Sequence, residues 1–227
     1  MSQSHLFDHR GELISQGATH QRFGYDFPQG GSLPSWLSVS GTGTPAFTHG
    51  GWNTDSLVAA SVGSGDEAVL HTAGRIYMDA TANRQVRAVK WTVKGLRVTA
   101  GTLVGTNLDF GIRDEITRAS DAHGPVMACW GSSAPGTYQG FLTFLADNVK
   151  PPMNDGQTTA DRPRDLSVAV VQDAAGDYYG VFWLWDQVIH VQALSSGFDP
   201  SLGLIPKVSV FHGRSIGIRG VELELWT

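Results

Sequence analysis

The sequence predicts an all-β domain, a two-sheet antiparallel sandwich of the jelly-roll kind. Short segments in which apolar and polar residues alternate recur along most of the 227 residues, as expected for strands that bury one face. The 28 glycines and 10 prolines are spread over the whole length and separate these segments as turns. Segments of about 12 residues or more show no helical amphipathicity, so helix is expected only in short turns such as residues 114–120.

The composition fits one folded domain and excludes several classes of protein. Apolar residues make up 41% of the chain and charged residues 16%, which suits a large core and argues against disorder. Sixteen basic and 21 acidic residues, with no run of Lys or Arg, offer no footprint for nucleic acid. Cys129 is the only cysteine, so no disulfide forms within the chain, and its apolar neighbours predict a buried strand residue.

Strands of the first half are expected at residues 22–27, 33–40, 46–49, 56–61, 67–70, 75–77 and 85–96. The clearest alternation lies in the last of these segments. Val89, Trp91 and Val93 share one face there, and polar residues occupy the other. This pattern predicts a half-buried strand.

Strands of the second half are expected at residues 103–113, 126–131, 139–146, 166–173, 178–185, 188–193, 204–212 and 220–226, with a turn near 186–187. Residues 141–145 are apolar on both faces, which predicts a strand deep in the core. In the final strand, Val221 and Leu223 face one way and Glu222 and Glu224 the other. Residues 147–164 form the longest polar segment, which is either a functional loop or a surface excursion without a role.

The domain boundary is expected near the N-terminus. Residues 1–20 are interpreted as an extension and a candidate assembly contact, and residues 21–227 as one sandwich, since all-β domains of about 200–250 residues commonly fold as one unit. The first residues lack the basic and apolar regions of a secretory signal, and no window is long enough to span a bilayer. The protein is therefore expected in a cytoplasm, without membrane insertion.

A resemblance is carried by Tyr25-Asp26-Phe27, Leu33-Pro34-Ser35-Trp36, the meander at 165–193, residues 205–210 and the closing strand at 221–226. In this order the segments resemble the concanavalin A-like group, which includes legume-lectin, laminin-G and family-16 glucanase domains. The resemblance implies that the last strand lies beside the first and that the termini lie together. Small domains of this type are similar to those of bacteriophage tails and virion surfaces. The resemblance therefore also implies a virion or tail location, synthesis in a host cytoplasm, and protein partners in an oligomer or larger assembly.

Acidic, serine and histidine patterns do not favour an enzyme. Glu222-Leu223-Glu224 echoes the paired carboxylates of family-16 glycosidases but lacks the intervening Asp, so two solvated carboxylates are expected instead. Asp114 and Glu115 are adjacent and would point to opposite faces of a strand. The turn at 61–65 lacks the strand-to-helix context of a nucleophile elbow, and the eight histidines form no zinc-binding pair.

Aromatic residues at strand ends are the candidate ligand contacts, because a sugar ring stacks on an aromatic plane while polar neighbours bind its hydroxyls. Trp91 and Trp183 are expected in the core. The candidate ligand-binding residues are Trp130, Tyr138, Tyr178, Tyr179 and Trp185, with Asp186. Calcium is the one candidate cofactor, with possible ligands at Asn53, Asp55, Asn107, Asp109, Asn154 and Asp155.

The function predicted from these features is recognition or decoration without catalysis, with a host-surface glycan as the ligand. Two alternatives stay open. A structural assembly subunit without a ligand needs a large exposed apolar patch. A diverged glycan hydrolase needs two carboxylates that meet in one cleft.

Overall fold

The computed structural model describes residues 20–27, 32–42, 46–49, 57–60, 67–78, 86–99, 105–116, 124–131, 141–145, 152–154, 164–173, 175–194, 198–211 and 215–227. Within these residues the chain forms sixteen strands and one short 3-10 turn, Pro200–Leu202. All strand pairs are antiparallel and belong to two sheets, which confirms the predicted all-β sandwich.

The first eight strands are β1 (His20–Asp26), β2 (Leu37–Thr42), β3 (Ala46–His49), β4 (Leu57–Ala60), β5 (Glu67–Thr72), β6 (Ala88–Thr99), β7 (Gly105–Arg113) and β8 (Val126–Gly131). The others are β9 (Phe141–Leu145), β10 (Pro152–Asn154), β11 (Arg164–Gln172), β12 (Tyr178–Leu184), β13 (Gln187–Ala193), β14 (Ile205–Phe211), β15 (Ser215–Ile218) and β16 (Gly220–Trp226). The bounds of β8 and β16 are those that the sequence predicts.

The nine-stranded sheet is organised around β6, whose twelve residues pair with two different strands on one side. β16 pairs with the first part of β6 and β15 with its last three residues. β1 lies outside β16, and β4 and β3 lie outside β15. On the other side of β6 follow β11, β12 and β13. The pairing of β1 with β16, in which His20 lies opposite Trp226, confirms that the last strand lies beside the first.

A glycine marks the point where β16 gives way to β15. Gly95 has a φ of +60°, and a Cβ there would lie 2.7 Å from Cδ of Arg219. The backbone N–H of Gly95 donates to Oδ1 of Asp165 at 2.6 Å. The N–H of Arg219 donates to the carbonyl of Lys94. These bonds tie the irregular backbone at Gly95 to β11 on one side and to the junction of β15 and β16 on the other.

The seven-stranded sheet has the order β10-β9-β8-β7-β14-β5-β2. β7 to β10 follow one another in the chain, whereas β14 lies between β7 and β5 and comes from a distant part of the chain, so its place is not visible in any local pattern. β9, which was expected deep in the core, lies second from the edge, and its side chains are outside the described residues. β10 falls inside the predicted polar loop at 147–164, most of which is also outside them.

The main core lies between the two sheets and follows the alternation of the strands. Val89, Trp91 and Val93 of β6 enter it from one sheet, and Phe110 and Val208 from the other. Full burial of such a side chain contributes about 1.5–3 kcal/mol. The sequence therefore identifies the inward face of β6 correctly.

Trp183 is buried, as predicted, but outside the main core. Its neighbour Phe182 points into that core, so Trp183 points to the outer face of the nine-stranded sheet. There it packs in a second cluster with Val171, Val181 and Trp226.

Some local predictions are wrong or shifted. The strand expected at 33–40 is β2, Leu37–Thr42. Residues 75–77 form one bridge, between Ile76 and Leu204 next to β14, and no strand. The turn expected near 186–187 lies at 185–186, because Leu184 pairs with Gln187. Residues 114–116 form no helical turn, and 117–120 are outside the described residues. β15 was not predicted; it has only four residues.

Candidate functional site

Two of the predicted aromatic contacts, Tyr178 and Tyr179, point to opposite faces of β12. The ring of Tyr178 packs edge-on against Phe198 at 5.5 Å. Its hydroxyl donates to the carbonyl of Met78 at 3.2 Å and accepts from Gln172. Tyr178 is therefore a structural residue that anchors the segment after β5.

Tyr179 and Trp185 lie too far apart to hold one sugar ring. Tyr179 is half-buried on the outer face of the nine-stranded sheet, where burial and Asp173 raise the pKa of its phenol. Trp185 follows the opposite end of β12, six residues later, which corresponds to roughly 20 Å along a strand. The structure separates the two.

The turn between β12 and β13 presents Trp185 to solvent. The side chain is 45% exposed, although it is a large hydrophobic group. Trp185 has a φ of +52°, a value that no other non-glycine residue adopts in the described part of the chain. Such a conformation costs of order 1–3 kcal/mol and is frequent at ligand sites. The adjacent Asp186 is exposed, and the N–H of Trp185 donates to the carbonyl of Asp165.

The remaining aromatic candidates belong elsewhere. Trp130 lies in β8 of the seven-stranded sheet, where its backbone pairs with Thr106 and Phe141. Its side chain and the whole of Tyr138 are outside the described residues. The predicted set thus includes one exposed aromatic whose surroundings are defined, Trp185.

The outer face of the seven-stranded sheet carries a buried group of polar side chains that sequence reasoning missed. Directly opposite residues in antiparallel strands point to the same face, so β5, β14 and β7 place these groups together. We call this group the polar cluster: Glu67, His71, Asp109, Arg113, Lys207 and Ser209. Residues of the opposite parity, such as Leu70, Phe110 and Val208, point into the core.

The charges of the polar cluster are balanced. Nζ of Lys207 lies 4.0 Å from Oε1 of Glu67 and donates to the carbonyl of Ile116 at 2.5 Å. Nη1 of Arg113 lies 3.9 Å from Oδ2 of Asp109. Burial, together with the charge of Arg113, lowers the pKa of Lys207 to about 8. Two carboxylates thus face two cations.

His71 and Ser209 of the polar cluster each have one hydrogen-bonding atom that is not used among the described residues. His71 is 5% exposed, and its Nδ1 bonds with the carbonyl of Thr72 at 2.7 Å, while burial lowers its pKa. Nε2 of His71 and Oγ of the fully buried Ser209 have no hydrogen-bond partner among the described residues. An unsatisfied buried polar group costs about 1–3 kcal/mol, so such groups typically mark an ordered water or a ligand.

A segment after β7 turns back toward the polar cluster. The carbonyl of Ile116 accepts from Lys207, and the carbonyl of Asp114 accepts from Arg75 at 2.6 Å. Arg75 also donates to the carbonyls of Leu202 and Gly203, each at 3.0 Å. Residues 114–116 are therefore held by two cationic side chains, Lys207 of β14 and Arg75, which follows β5.

The glutamates of β16 are not solvated, which corrects the sequence interpretation. Oε2 of Glu222 accepts from Arg22 at 2.6 Å and lies 2.9 Å from Nζ of Lys94. Burial alone raises the pKa of Glu222, but the bonds from Arg22 and Lys94 hold it below its usual value. Glu224 pairs with His20 at 2.9 Å and Lys90 at 3.4 Å. Because both carboxylates are paired with cations, two of which come from β1, they hold β1 in place and are not suited to proton transfer.

Among the calcium candidates, the structure describes the side chain of Asp109 alone. Asp109 lies within β7 and not in a loop, beside Arg113, which disfavours a cation. Asn154 is in β10, Asn107 is in β7, and the other candidates, Asn53, Asp55 and Asp155, are outside the described residues. The described part of the chain holds no group of three or more His, Cys, Asp or Glu residues that could bind a metal ion.

None of the helical structure in the described residues is long and apolar enough to cross a membrane.

Comparison with solved structures shows which known fold the two sheets resemble. No protein-family model and no curated protein match the chain. Winged bean acidic lectin, solved with methyl-α-D-galactose, superimposes with a TM-score of 0.56 at 11% identity, over 92% of this chain and 100% of the lectin. The carbohydrate recognition domain of Emp47p superimposes with a TM-score of 0.55 at 9% identity, over 87% and 92%. The fold is that of the concanavalin A-like lectins.

This lectin-type fold extends to a protein of unknown function from Shewanella oneidensis, with a TM-score of 0.51 at 12% identity, over 94% of this chain and 90% of that one. The likeness covers nearly the whole chain in each case, so the two sheets of this protein correspond to a complete lectin-type sandwich. It concerns the fold, since identity is 9–12%.

Proposed function

We propose that this protein is a non-enzymatic carbohydrate-binding domain. The observation that carries the proposal is Trp185, an exposed tryptophan held in a strained backbone conformation beside the exposed Asp186. An aromatic plane next to a carboxylate suits a sugar ring, whose C–H face stacks on the indole while its hydroxyls donate to the carboxylate. The lectin-type fold supports this reading, because winged bean acidic lectin, which has the same fold, was solved with methyl-α-D-galactose.

The test is a titration of soluble oligosaccharides followed by isothermal titration calorimetry. We expect Trp185→Ala to weaken binding about tenfold, which corresponds to about 1.4 kcal/mol lost with the aromatic stacking surface. Val188→Ala is the matched control, since Val188 is exposed on the same hairpin and should leave the affinity unchanged within about twofold. Unchanged affinity in a folded Trp185→Ala protein would remove Trp185 from the site.

The location, the assembly and the calcium requirement of the domain are also part of this proposal. Attachment to a virion surface or phage tail, assembly with other subunits, and a calcium requirement through residues outside the described part are predictions from the sequence. Light scattering of the purified protein measures its assembly state. Binding measured with and without a chelator measures the calcium requirement.

A further inference from the structure

His71 is a buried histidine that lies directly opposite a buried lysine. His71 of β5 is 5% exposed, Lys207 of β14 is fully buried, and the two residues pair across the outer face of the seven-stranded sheet. The Cβ atoms of directly opposite residues lie about 4.5–5.5 Å apart. The pKa of Lys207 is about 8, so its amine is mostly protonated at neutral pH and fully protonated in acid. A proton on His71 would therefore place two cations side by side in a buried site.

The hydrogen bond of His71 defines the atom to which that proton is added. Nδ1 of His71 bonds with the carbonyl of Thr72 at 2.7 Å. Because a carbonyl oxygen only accepts, Nδ1 carries the hydrogen of the neutral ring. Nε2 therefore takes up the proton in acid, and this atom is buried without a hydrogen-bond partner among the described residues. The charged ring has no described acceptor for its new N–H group.

The residues that face His71 do not compensate a positive charge on its ring. Lys207 faces it from β14, and the uncharged Ser38 faces it from β2. The other charged groups of this region interact with Lys207 or with each other: Glu67, Asp109, Arg113 and Glu115. Burial lowers the pKa of His71, the bond to Thr72 raises it less, and the charge of Lys207 lowers it further. The folded protein therefore binds this proton less readily than the unfolded chain does.

Residues 114–116 are held by the same lysine that faces His71. Nζ of Lys207 donates to the carbonyl of Ile116 at 2.5 Å. The neighbouring anchor, Arg75, donates to the carbonyl of Asp114 at 2.6 Å. Repulsion between a charged His71 and Lys207 thus acts on the group that binds Ile116.

We propose that His71 is an acid sensor that releases residues 114–116 from the polar cluster. Protonation of Nε2 adds a second buried cation beside Lys207, and opening of this segment lets water solvate both cations. Histidine in the unfolded chain has a pKa of 6.5, and the pKa of folded His71 lies below it. The closed state therefore has its full stability above pH 6.5 and loses stability as the pH falls toward the lower folded value.

Cleavage after Glu115 by a glutamate-specific protease measures the release. Glu115 is exposed, and a protease can bind the segment only after the segment has left its anchors. The rate at pH 7.5 and at pH 5.5 is divided by the rate for a free peptide of residues 110–120, which removes the pH dependence of the protease itself. One pH unit below 6.5 shifts a proton-linked equilibrium by up to about tenfold, so the relative rate should rise about threefold to tenfold.

Cleavage after Glu222 is the internal control, because Glu222 is buried in β16 of the other sheet and reports global unfolding. Its relative rate should stay constant between the two pH values within about twofold. A rise at Glu115 without a rise at Glu222 supports local release. A relative rate at Glu115 that does not change, or that changes only together with the rate at Glu222, overturns the proposal.

His71→Gln is the deciding variant, because glutamine can keep a bond to the carbonyl of Thr72 and does not titrate. Its relative cleavage rate at Glu115 should be equal at the two pH values within about twofold. His190→Gln is the matched control, since His190 is a half-buried histidine of the other sheet that bonds with Gln192, and it should keep the acid response. An acid response in His71→Gln as large as that of the wild type would contradict the assignment.

Lys207→Met tests the other half of the pair if His71→Gln does not fold. Methionine fills the same buried space without a charge and without a bond to Ile116. The segment should then be cleaved faster than in the wild type at pH 7.5, and the difference between the two pH values should shrink to less than about twofold. A wild-type cleavage rate with a wild-type acid response in Lys207→Met would show that this lysine does not hold the segment.

Discussion

Glu222 illustrates at the scale of one residue how much of the molecule depends on partners that are distant in sequence. Alternation in β16 predicts that Glu222 points outward, and it does. The same pattern does not reveal Arg22 and Lys94, which make the carboxylate a buried, paired group. Arg22 precedes Glu222 by 200 residues, and only the pairing of β1 with β16 brings them together.

We expect Glu222→Gln to lower the free energy of unfolding at pH 7 by about 1–3 kcal/mol, because two charge-assisted hydrogen bonds weaken, the one from the exposed Arg22 contributing less. The pKa of Glu222 is depressed in the folded state. Its contribution is therefore complete above the unfolded value of about 4.5 and is lost as the pH falls through the lower folded value. Denaturant unfolding at pH 7 and pH 3 measures both effects.

Asp177→Asn is the control for that experiment, since Asp177 is an exposed carboxylate in the turn before β12. It should change stability by less than about 0.5 kcal/mol. Equal stability of wild type and Glu222→Gln at pH 7 would show that the Arg22 and Lys94 contacts contribute nothing.

Ser209 and His71 show a second limit of prediction from sequence at the residue scale. Each sits in a segment whose alternation is legible, Glu67–Thr72 and Ile205–Phe211. Their convergence depends on the order β5-β14-β7, which joins segments about 140 residues apart, so a single sequence could not predict the polar cluster.

Individual elements were predictable to the extent that their signals are local. β16 has its predicted bounds because period-2 alternation is clear within it, and β8 because its apolar run follows the turn residues Gly124 and Pro125. The two-residue turn at 185–186 was placed one residue late, because its first position is Trp185 and not a residue that favours positive φ. The four-residue β15 carries too short a pattern to be recognised.

At the element scale, Gly95→Ala tests the irregular step in β6. Alanine at a φ of +60° costs about 1–2 kcal/mol, and its Cβ would also displace the side chain of Arg219. We expect a loss of at least that size in the free energy of unfolding, measured by denaturant unfolding. Gly74→Ala is the matched control, since no atom lies within 4 Å of a Cβ there. Equal effects of the two substitutions would mean that β6 runs regularly past Gly95.

At the scale of the whole molecule, the fold class was predictable and the arrangement of the strands was not. Turn residues and alternation over most of the chain are enough to indicate a sandwich. The resemblance correctly implied that β1 lies beside β16. In the seven-stranded sheet, the placement of β14 between β7 and β5 arises from long-range pairing, which no local segment encodes.

The residues of the candidate site were also predictable only in part. Trp185 and Asp186 were predicted from residue type and position at a strand end, and the structure places Trp185 at an exposed turn. Tyr178 was predicted from the same signals and is structural instead, because its ring and hydroxyl contact Phe198 and Met78. An aromatic residue at a strand end is therefore only a candidate ligand contact. The packing of its side chain in the folded protein decides whether it is free to bind a ligand or holds two segments together.

The central claim is that this lectin-type sandwich recognises carbohydrate, and a glycan array probed with the purified protein, with and without calcium, tests it most directly. We predict saturable binding to a restricted set of glycans, inhibited by the free sugar and absent in Trp185→Ala. An array without binding at high protein concentration under both conditions would contradict the claim and favour an assembly subunit without a ligand.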